Sequence, residues 1–259
     1  MNIVVCVKHV PDAQGERGFS EDNTTDRENV DGLLSELDEY AVEEALKIVE
    51  SEGGEVMALT VGPADAAEAV KKALQMGADK GIHISDDAIA GSDALATSLV
   101  IAEAVKKVGQ PDIVMFGLAS TDGGMSVIPA MVAERLGLPQ LTQVSTLEVS
   151  GAQATGRRDS DVASETVVAS LPAVVSVTDQ INEPRYPSFK GIMAAKKKPV
   201  EEMSLADLGV DAGQVGLDAA ATKVLDTTKR PPREQGEIVT DEGDGGTKLV
   251  EFLSGAKLI

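Results

Sequence analysis

Few folds can accommodate residues 112–139, DIVMFGLASTDGGMSVIPAMVAERLGLP. The stretch reads as a short buried strand (Ile113 to Phe116), a loop of glycines and hydroxyls (Gly117 to Ser126), and a helix ending at Gly137. In an open parallel sheet, ligands bind beyond the carboxyl ends of the strands, where the strand order reverses. A loop at that place offers backbone N–H groups, and the helix after it adds its positive N-terminal end. Gly123 and Gly124 have no Cβ and allow a phosphate to approach closely, and Ser120, Thr121 and Ser126 add hydroxyls. Taken alone, the loop fits an anion site and an ordinary strand-to-helix turn equally well. It is neither a Walker loop nor a GxGxxG fingerprint.

The chain before this stretch repeats the same plan. Asn2 to Val7 is a β-branched strand, and Asp38 to Glu50 is a helix with Ala41, Val42, Ala45, Leu46 and Val49 on one face. The acids Asp38, Glu39, Glu43 and Glu44 lie near the positive end of that helix and read as a solvated face. Glu55 to Val61 and Lys80 to Ile84 are further strands, each followed by a helix: Ala64 to Met76, and Asp93 to Val108 capped by Ser92. Four β-loop-α units in succession predict a doubly wound α/β fold. The polar stretch Pro11 to Asn29 is too long for a simple turn, and something must use it or cover it.

The pattern changes after Gly137. Gln143 to Val149, Ala152 to Arg157 and Glu165 to Leu171 alternate apolar and polar residues, as antiparallel hairpin strands do. Ala173 to Val177 is apolar on both faces and predicts a central strand. Periodicity is lost beyond Thr178, apart from a short element at Met203 to Leu208. Residues 222–246 are rich in Pro, Gly and charge, and Thr247 to Ile259 predicts a short amphipathic helix with Leu249, Phe252 and Leu253 inward. So little core predicts, beside a main domain (1–200), an arm (201–259) that is either disordered or wrapped on another subunit, and its terminal apolar residues favour wrapping.

Composition narrows the function. A formal charge of −20 argues against nucleic-acid and anionic-membrane binding, and suits either a salty habitat or a highly soluble surface. The single cysteine, Cys6, lies in the first strand and reads as a buried structural thiol. His9 and His83 have no HxxxH or CxxC partner, so neither a metal site nor a histidine triad is expected. No apolar run has the ~20 residues that span a bilayer, and the N-terminus lacks a signal peptide's basic start. A soluble, cytoplasmic protein without catalytic residues of its own is expected.

The runs VVCVKHVPD, EYAVEEAL, LTVGPADAAEAVKKALQMGADKGIHI, DIVMFGLASTDG, GLPQLT, LPAVVSVTDQINEPRYPSFKGIMAAKKKP and LGVD follow one another across nearly the whole chain. In that order they resemble the β subunit of electron transfer flavoproteins, and NEPRYPSFKGIMAAKKK is the most specific of them. The resemblance implies a Rossmann-like, mostly parallel sheet of the adenine-nucleotide-binding type, with an added antiparallel hairpin and an extended C-terminal arm. It implies a heterodimer with an α subunit that holds most of the FAD, and one structural AMP in β.

Carried over by motif, the AMP would touch Cys6, the run Ser35, Glu36, Leu37 and Asp38, and Val61. The loop Gly117, Leu118, Ala119, Ser120, Thr121, Asp122, Gly123, Gly124, Met125, Ser126, Val127 and Ile128 would complete the site, with Gly123 to Ser126 at the phosphate. Bifurcating members hold a second FAD in β, and their loop typically reads Asp-Gly-Asp-Thr-Ala-Gln. Here only Asp122-Gly123 matches, so AMP is expected rather than a second FAD. Segment 182–198 matches the loop that anchors acyl-CoA and related dehydrogenases, with Phe189 as the apolar anchor beside Tyr186, Lys190, Ile192 and Met193. Lys196, Lys197 and Lys198 read as a solvated or partner-facing patch. The implied role is passage of electrons from those dehydrogenases, through the α-bound flavin, to a membrane quinone oxidoreductase. The competing readings are a bifurcating β subunit and a nucleotide-binding sensor of the universal-stress type.

Overall fold

Strand and helix alternate through the first half of the chain as the hydrophobic periodicity requires. The structure, a computed structural model, describes residues 1–259 except 234 and 237, which fall in the Pro- and Gly-rich part of the expected arm. The strands are β1 (Asn2–Cys6), β2 (His9–Pro11), β3 (Gly32–Leu34), β4 (Glu55–Val61), β5 (Lys80–Ile84), β6 (Ile113–Phe116), β7 (Gln140–Ser150), β8 (Gln153–Asp159), β9 (Ser164–Ser170), β10 (Ala173–Val177) and β11 (Val200–Met203). The helices are α1 (Glu36–Glu52), α2 (Ala67–Met76), α3 (Ala94–Val108), α4 (Ile128–Leu136), α5 (Phe189–Ala195), α6 (Leu205–Leu208) and α7 (Gly245–Gly255). Contacts divide the chain into two units, Met1–Leu225 and Asp226–Ile259.

Unit 1 is built on a nine-stranded sheet of order β11-β5-β4-β1-β6-β10-β7-β8-β9. Strands from β11 to β7 pair in parallel, and β7, β8 and β9 form an antiparallel meander at one edge. The expected fold class is therefore observed, with β10 inside the sheet as its apolar sequence requires. Strand order reverses at β1: the chain moves outward through β4 to β5, then returns to lay β6 on the other side of β1.

Alternation along each strand builds one core on each face of the sheet. Ile3 and Val5 pack under α1 and α2, with Val42, Leu46, Val70 and Leu74. Val4 and Cys6 pack under α3 and α4, with Val100, Ile101, Val132 and Val174. Small apolar side chains fill both layers, consistent with 2% aromatic content.

Several local expectations are corrected. Asp93, not Ser92, caps α3 by accepting from the Ala96 N–H at 3.1 Å, while the Ser92 hydroxyl accepts from the Gly216 N–H at 2.7 Å. Helix α1 begins at Glu36 rather than Asp38, so Glu36 and Leu37 belong to its first turn instead of preceding it. Asp38, Glu43 and Glu44 are buried, so that acid run is not a solvated face. β11 joins the sheet edge before the capping box at Ser204 opens α6, so Met203 ends a strand. The expected helix near the C-terminus forms as α7, where Leu249 and Phe252 are exposed rather than turned onto unit 2.

Candidate functional site

β1 and β6 end side by side at the reversal of strand order, and β4 ends on the far side of β1. Cys6, Val61 and Gly117 stand at or just after these three ends, and Ser35 to Asp38 open α1 beside them. Ser35 takes the N-cap position of α1, and its N–H donates to the Lys8 carbonyl at 2.9 Å. Asp38 Oδ2 accepts from the Lys8 N–H at 2.9 Å, and the Gly117 N–H is a second donor to this carboxylate. One side chain thus joins the ends of β1 and β6. Only glycine fits at 117, because a Cβ there would lie 2.5 Å from the Leu37 carbonyl oxygen. Burial pushes the Asp38 carboxyl up to about 7, against the opposing pull of Lys8 and Gly117. Burial, and then the Asp38 charge, pushes the Cys6 thiol up as well, so it is no ready nucleophile.

The loop after β6 is held by cations from the N-terminal part of the chain. Asp122 Oδ1 accepts from Lys8 Nζ at 2.9 Å, and Oδ2 accepts from Arg27 Nη2 at 2.6 Å. The Asp122 side chain is only 2% exposed. Burial opposes its ionisation, but the charge and hydrogen bond of Lys8, joined by Arg27, outweigh that and hold the carboxyl well below the usual range. Arg17 Nη1 donates to the Thr121 carbonyl at 2.8 Å. Two glycine N–H groups are engaged inside the loop: Gly123 donates to Asp122 Oδ1 at 2.6 Å, and Gly124 to the Ser120 carbonyl at 3.0 Å. Gly124 and Ser126 both adopt positive φ, +61° and +57°. This brings the chain through Met125 and Val127 to Ile128 and the first turn of α4, where a helix leaves its N–H groups without intrahelical acceptors.

Two buried hydroxyls near these strand ends, Ser35 Oγ and Thr60 Oγ1, have no hydrogen-bond partner among the described residues. A buried polar group left unpaired costs about 1–3 kcal/mol. Ser35 is an N-cap whose side chain caps nothing, and Thr60 lies one residue before Val61. Loop N–H groups left free beyond Gly124, at the reversal of strand order, suit a ligand with an anionic end. The crevice thus brings together the strand-end and loop residues singled out in the sequence, with Leu118 to Asp122 and Ser126 to Ile128 half-buried and Gly123 to Met125 exposed.

Segment 182–198 lies elsewhere, on the α1–α2 layer. Asn182 Nδ2 donates to the Tyr40 carbonyl and to Glu44, each at 3.0 Å. Arg185 donates from Nε to Glu43 at 2.7 Å and from Nη2 to Glu50 at 3.1 Å. Lys198 Nζ donates to the carbonyls of Leu74, Gly77 and Ala78 at 3.1, 3.0 and 2.6 Å, closing the C-terminal end of α2. Lys198 is therefore a helix cap and not part of a solvated triplet, and its desolvation lowers its pKa. Between these anchors Tyr186 is 94% and Phe189 80% exposed, with Lys190, Ile192 and Met193 also at the surface.

Lys8, Arg17, Arg27 and Thr60 were not singled out from the sequence. The signal for the arginines was present: both cations of an otherwise acidic stretch, residues 12–31, face the loop. Clefts of about 370 Å³ beside Met1 and Asp112, and about 280 Å³ beside Lys80 and Lys107, lie away from the crevice. Among the described residues, no helix is long and apolar enough to cross a membrane.

Residues 22–208 match the family model described as electron transfer flavoprotein domain. The chain is 50% identical to electron transfer flavoprotein subunit beta of Mycobacterium leprae, over all of this chain and 99% of the relative. It is 48% identical to the protein of that name from Mycobacterium bovis, with the same coverage. It is 34% identical to the caffeyl-CoA reductase-Etf complex subunit CarD of Acetobacterium woodii, over 93% of this chain and 92% of the relative.

Proposed function

The chain belongs to the electron transfer flavoprotein family, as a beta-type subunit, and from that premise we propose that it holds AMP in the crevice between β1 and β6 and docks partner dehydrogenases through Phe189. Its function is electron transfer together with an α subunit. In our reading that subunit carries most of the FAD, the heterodimer is cytoplasmic, and this chain lends it no catalytic residue. Acyl-CoA and related dehydrogenases, as in fatty acid oxidation, deliver electrons to the α-bound flavin. A membrane quinone oxidoreductase takes them on to the respiratory chain.

The observation that carries the AMP assignment is the loop Gly117 to Ile128, exposed from Gly123 to Met125, at the reversal of strand order and beside the opening of α1. The N–H groups from Met125 to Ile128 suit the phosphate. AMP supplies no redox chemistry. Its role there is to fill the crevice and satisfy these groups, which stabilises the fold by linkage.

The docking assignment rests on a different feature. A large apolar side chain held out at 80% exposure between Arg185 and Lys198 has the form of a preorganised anchor. Nucleotide analysis of the heterodimer tests the reading. Released ligands are identified by chromatography and mass spectrometry, and one FAD with one AMP per heterodimer is expected. Two FAD and no AMP would overturn the AMP assignment in favour of a flavin in this subunit.

A further inference from the structure

Residues 12–31 leave the molecule between β2 and β3 and return to the same place. The two strands pair antiparallel, His9 with Leu34 and Pro11 with Gly32, and close the neck of the excursion. Gly32 lies under the His9 ring, where a Cβ would come within 2.2 Å of Cε1, so the neck is tight. Above it the segment bonds mainly to itself. Asp12 accepts from the Gln14 N–H, Asp22 from Thr24, and Asp26 from Glu28 and Asn29. Ser20 donates to the Thr24 carbonyl, and Asp26 to that of Gly18.

No residue of the segment is buried, so hydrophobic burial contributes little to holding it down. What crosses to the crevice is polar: Arg17 to the Thr121 carbonyl at 2.8 Å and Arg27 to the buried Asp122 carboxylate at 2.6 Å. A segment with little apolar burial and a few ionic contacts belongs to the least stable part of a fold and opens locally. Asp12, Asp22 and Asp26 bond within the segment, whereas Arg17 and Arg27 reach the loop.

We propose that residues 12–31 form a lid over the crevice, latched by Arg17 and Arg27 to the loop at Thr121 and Asp122, and that this latch sets how slowly a bound adenylate leaves. The inference rests on the reading of the crevice as an adenylate site. It adds to that reading a segment and two arginines that act through the loop. Arg17 and Arg27 are positioning residues: they hold Thr121 and Asp122, and through them the turn from Gly123 to Ser126. Lys8 holds Asp122 from below whether the lid is open or closed, because Lys8 lies two residues beyond β1 and outside the segment. Opening therefore breaks the arginine contacts and leaves the floor of the site in place.

The test uses the heterodimer loaded with radiolabelled AMP, with release followed after dilution into excess unlabelled AMP. Combined Arg17→Gln and Arg27→Gln substitution is expected to speed release about tenfold at about 0.15 M salt, the effect of losing one to two partly exposed charge-assisted contacts. Raising the salt to about 1 M shortens the screening length from about 8 to 3 Å. The wild type should then approach the double variant, whose own rate should change little. Arg27→Lys keeps the charge and should restore much of the salt response, which a purely structural role would not. Equal release rates and equal salt responses in wild type and double variant would overturn the lid while leaving the adenylate site standing. A wild-type heterodimer that retains no AMP would instead remove the site reading, and the lid with it.

Discussion

Asp38 carries a carboxylate to a place where water is scarce, because two strand ends need a common acceptor there. The N–H groups of Lys8 and Gly117 converge on it, which is why it persists. Desolvation still wins, and the carboxyl titrates at about 7 rather than at the ordinary 3.8. Between those two pH values the folded chain binds a proton that the unfolded chain does not, so stability falls as pH rises through this window. Asp122 acts in the opposite sense, but its contribution is lost only as pH falls below the ordinary carboxylate range. Asp38→Asn keeps an acceptor oxygen and removes the charge. Against that variant, wild-type stability measured by urea unfolding is expected to decline between about pH 4 and 7, by at most about 4 kcal/mol. A difference that does not change with pH would show that the folded carboxyl titrates normally. The sequence pointed to Asp38 as a crevice residue through family resemblance, whereas its charge pattern alone suggested a solvated face. Glu43 and Glu44 misled in the same way, since Arg185 and Asn182, the residues that bury them, lie more than a hundred positions further along.

Elements with a full period of hydrophobic pattern were legible: β1, β4, β5, β6 and β10, and helices α1 to α4, lie within a few residues of where the pattern put them. Those that depend on a distant partner were not. The three-residue strands β2 and β3 carry too little pattern to read, and they exist because they pair with each other. Lys198 looks like one of three surface lysines until α2 presents the carbonyls of Leu74, Gly77 and Ala78 to it. Helix α5 is also tertiary in origin. Gly191 lies so close to α2 that a Cβ there would stand 2.6 Å from the Gln75 carbonyl oxygen. Its first residue, Phe189, contributes little to that packing and is exposed. Phe189→Ala should therefore leave the melting temperature and FAD content of the heterodimer unchanged. It should slow reduction of the flavin by a partner acyl-CoA dehydrogenase about tenfold or more, because an interface anchor of this size contributes about 2 kcal/mol or more. Stopped-flow reduction kinetics over a range of dehydrogenase concentrations would measure this, and unchanged kinetics would end the docking assignment.

The whole molecule carries −20 charges, yet its terminal unit displays several exposed apolar side chains. Leu249, Phe252, Leu258 and Ile259 are each more than half exposed, and Ile238 is 78% exposed. A segment that stays in water has no use for such residues, and a highly charged chain of this kind normally remains soluble by avoiding them. Unit 1 already closes both faces of its sheet with its own helices, so it does not need residues 226–259 to complete its core. We propose that the apolar side chains of unit 2, the last part of the expected arm 201–259, are buried against the α subunit. Truncation after Leu225 separates the two roles. The shortened chain is expected to keep the cooperative unfolding and helical content of unit 1. Its dissociation constant for the α subunit should rise at least tenfold, since burying a single Leu or Phe side chain contributes about 1.5–3 kcal/mol and each 1.4 kcal/mol is a factor of ten. Titration of the two purified subunits by calorimetry decides it. A truncated chain that pairs as tightly as the full one would mean that α7 serves some surface other than the subunit interface.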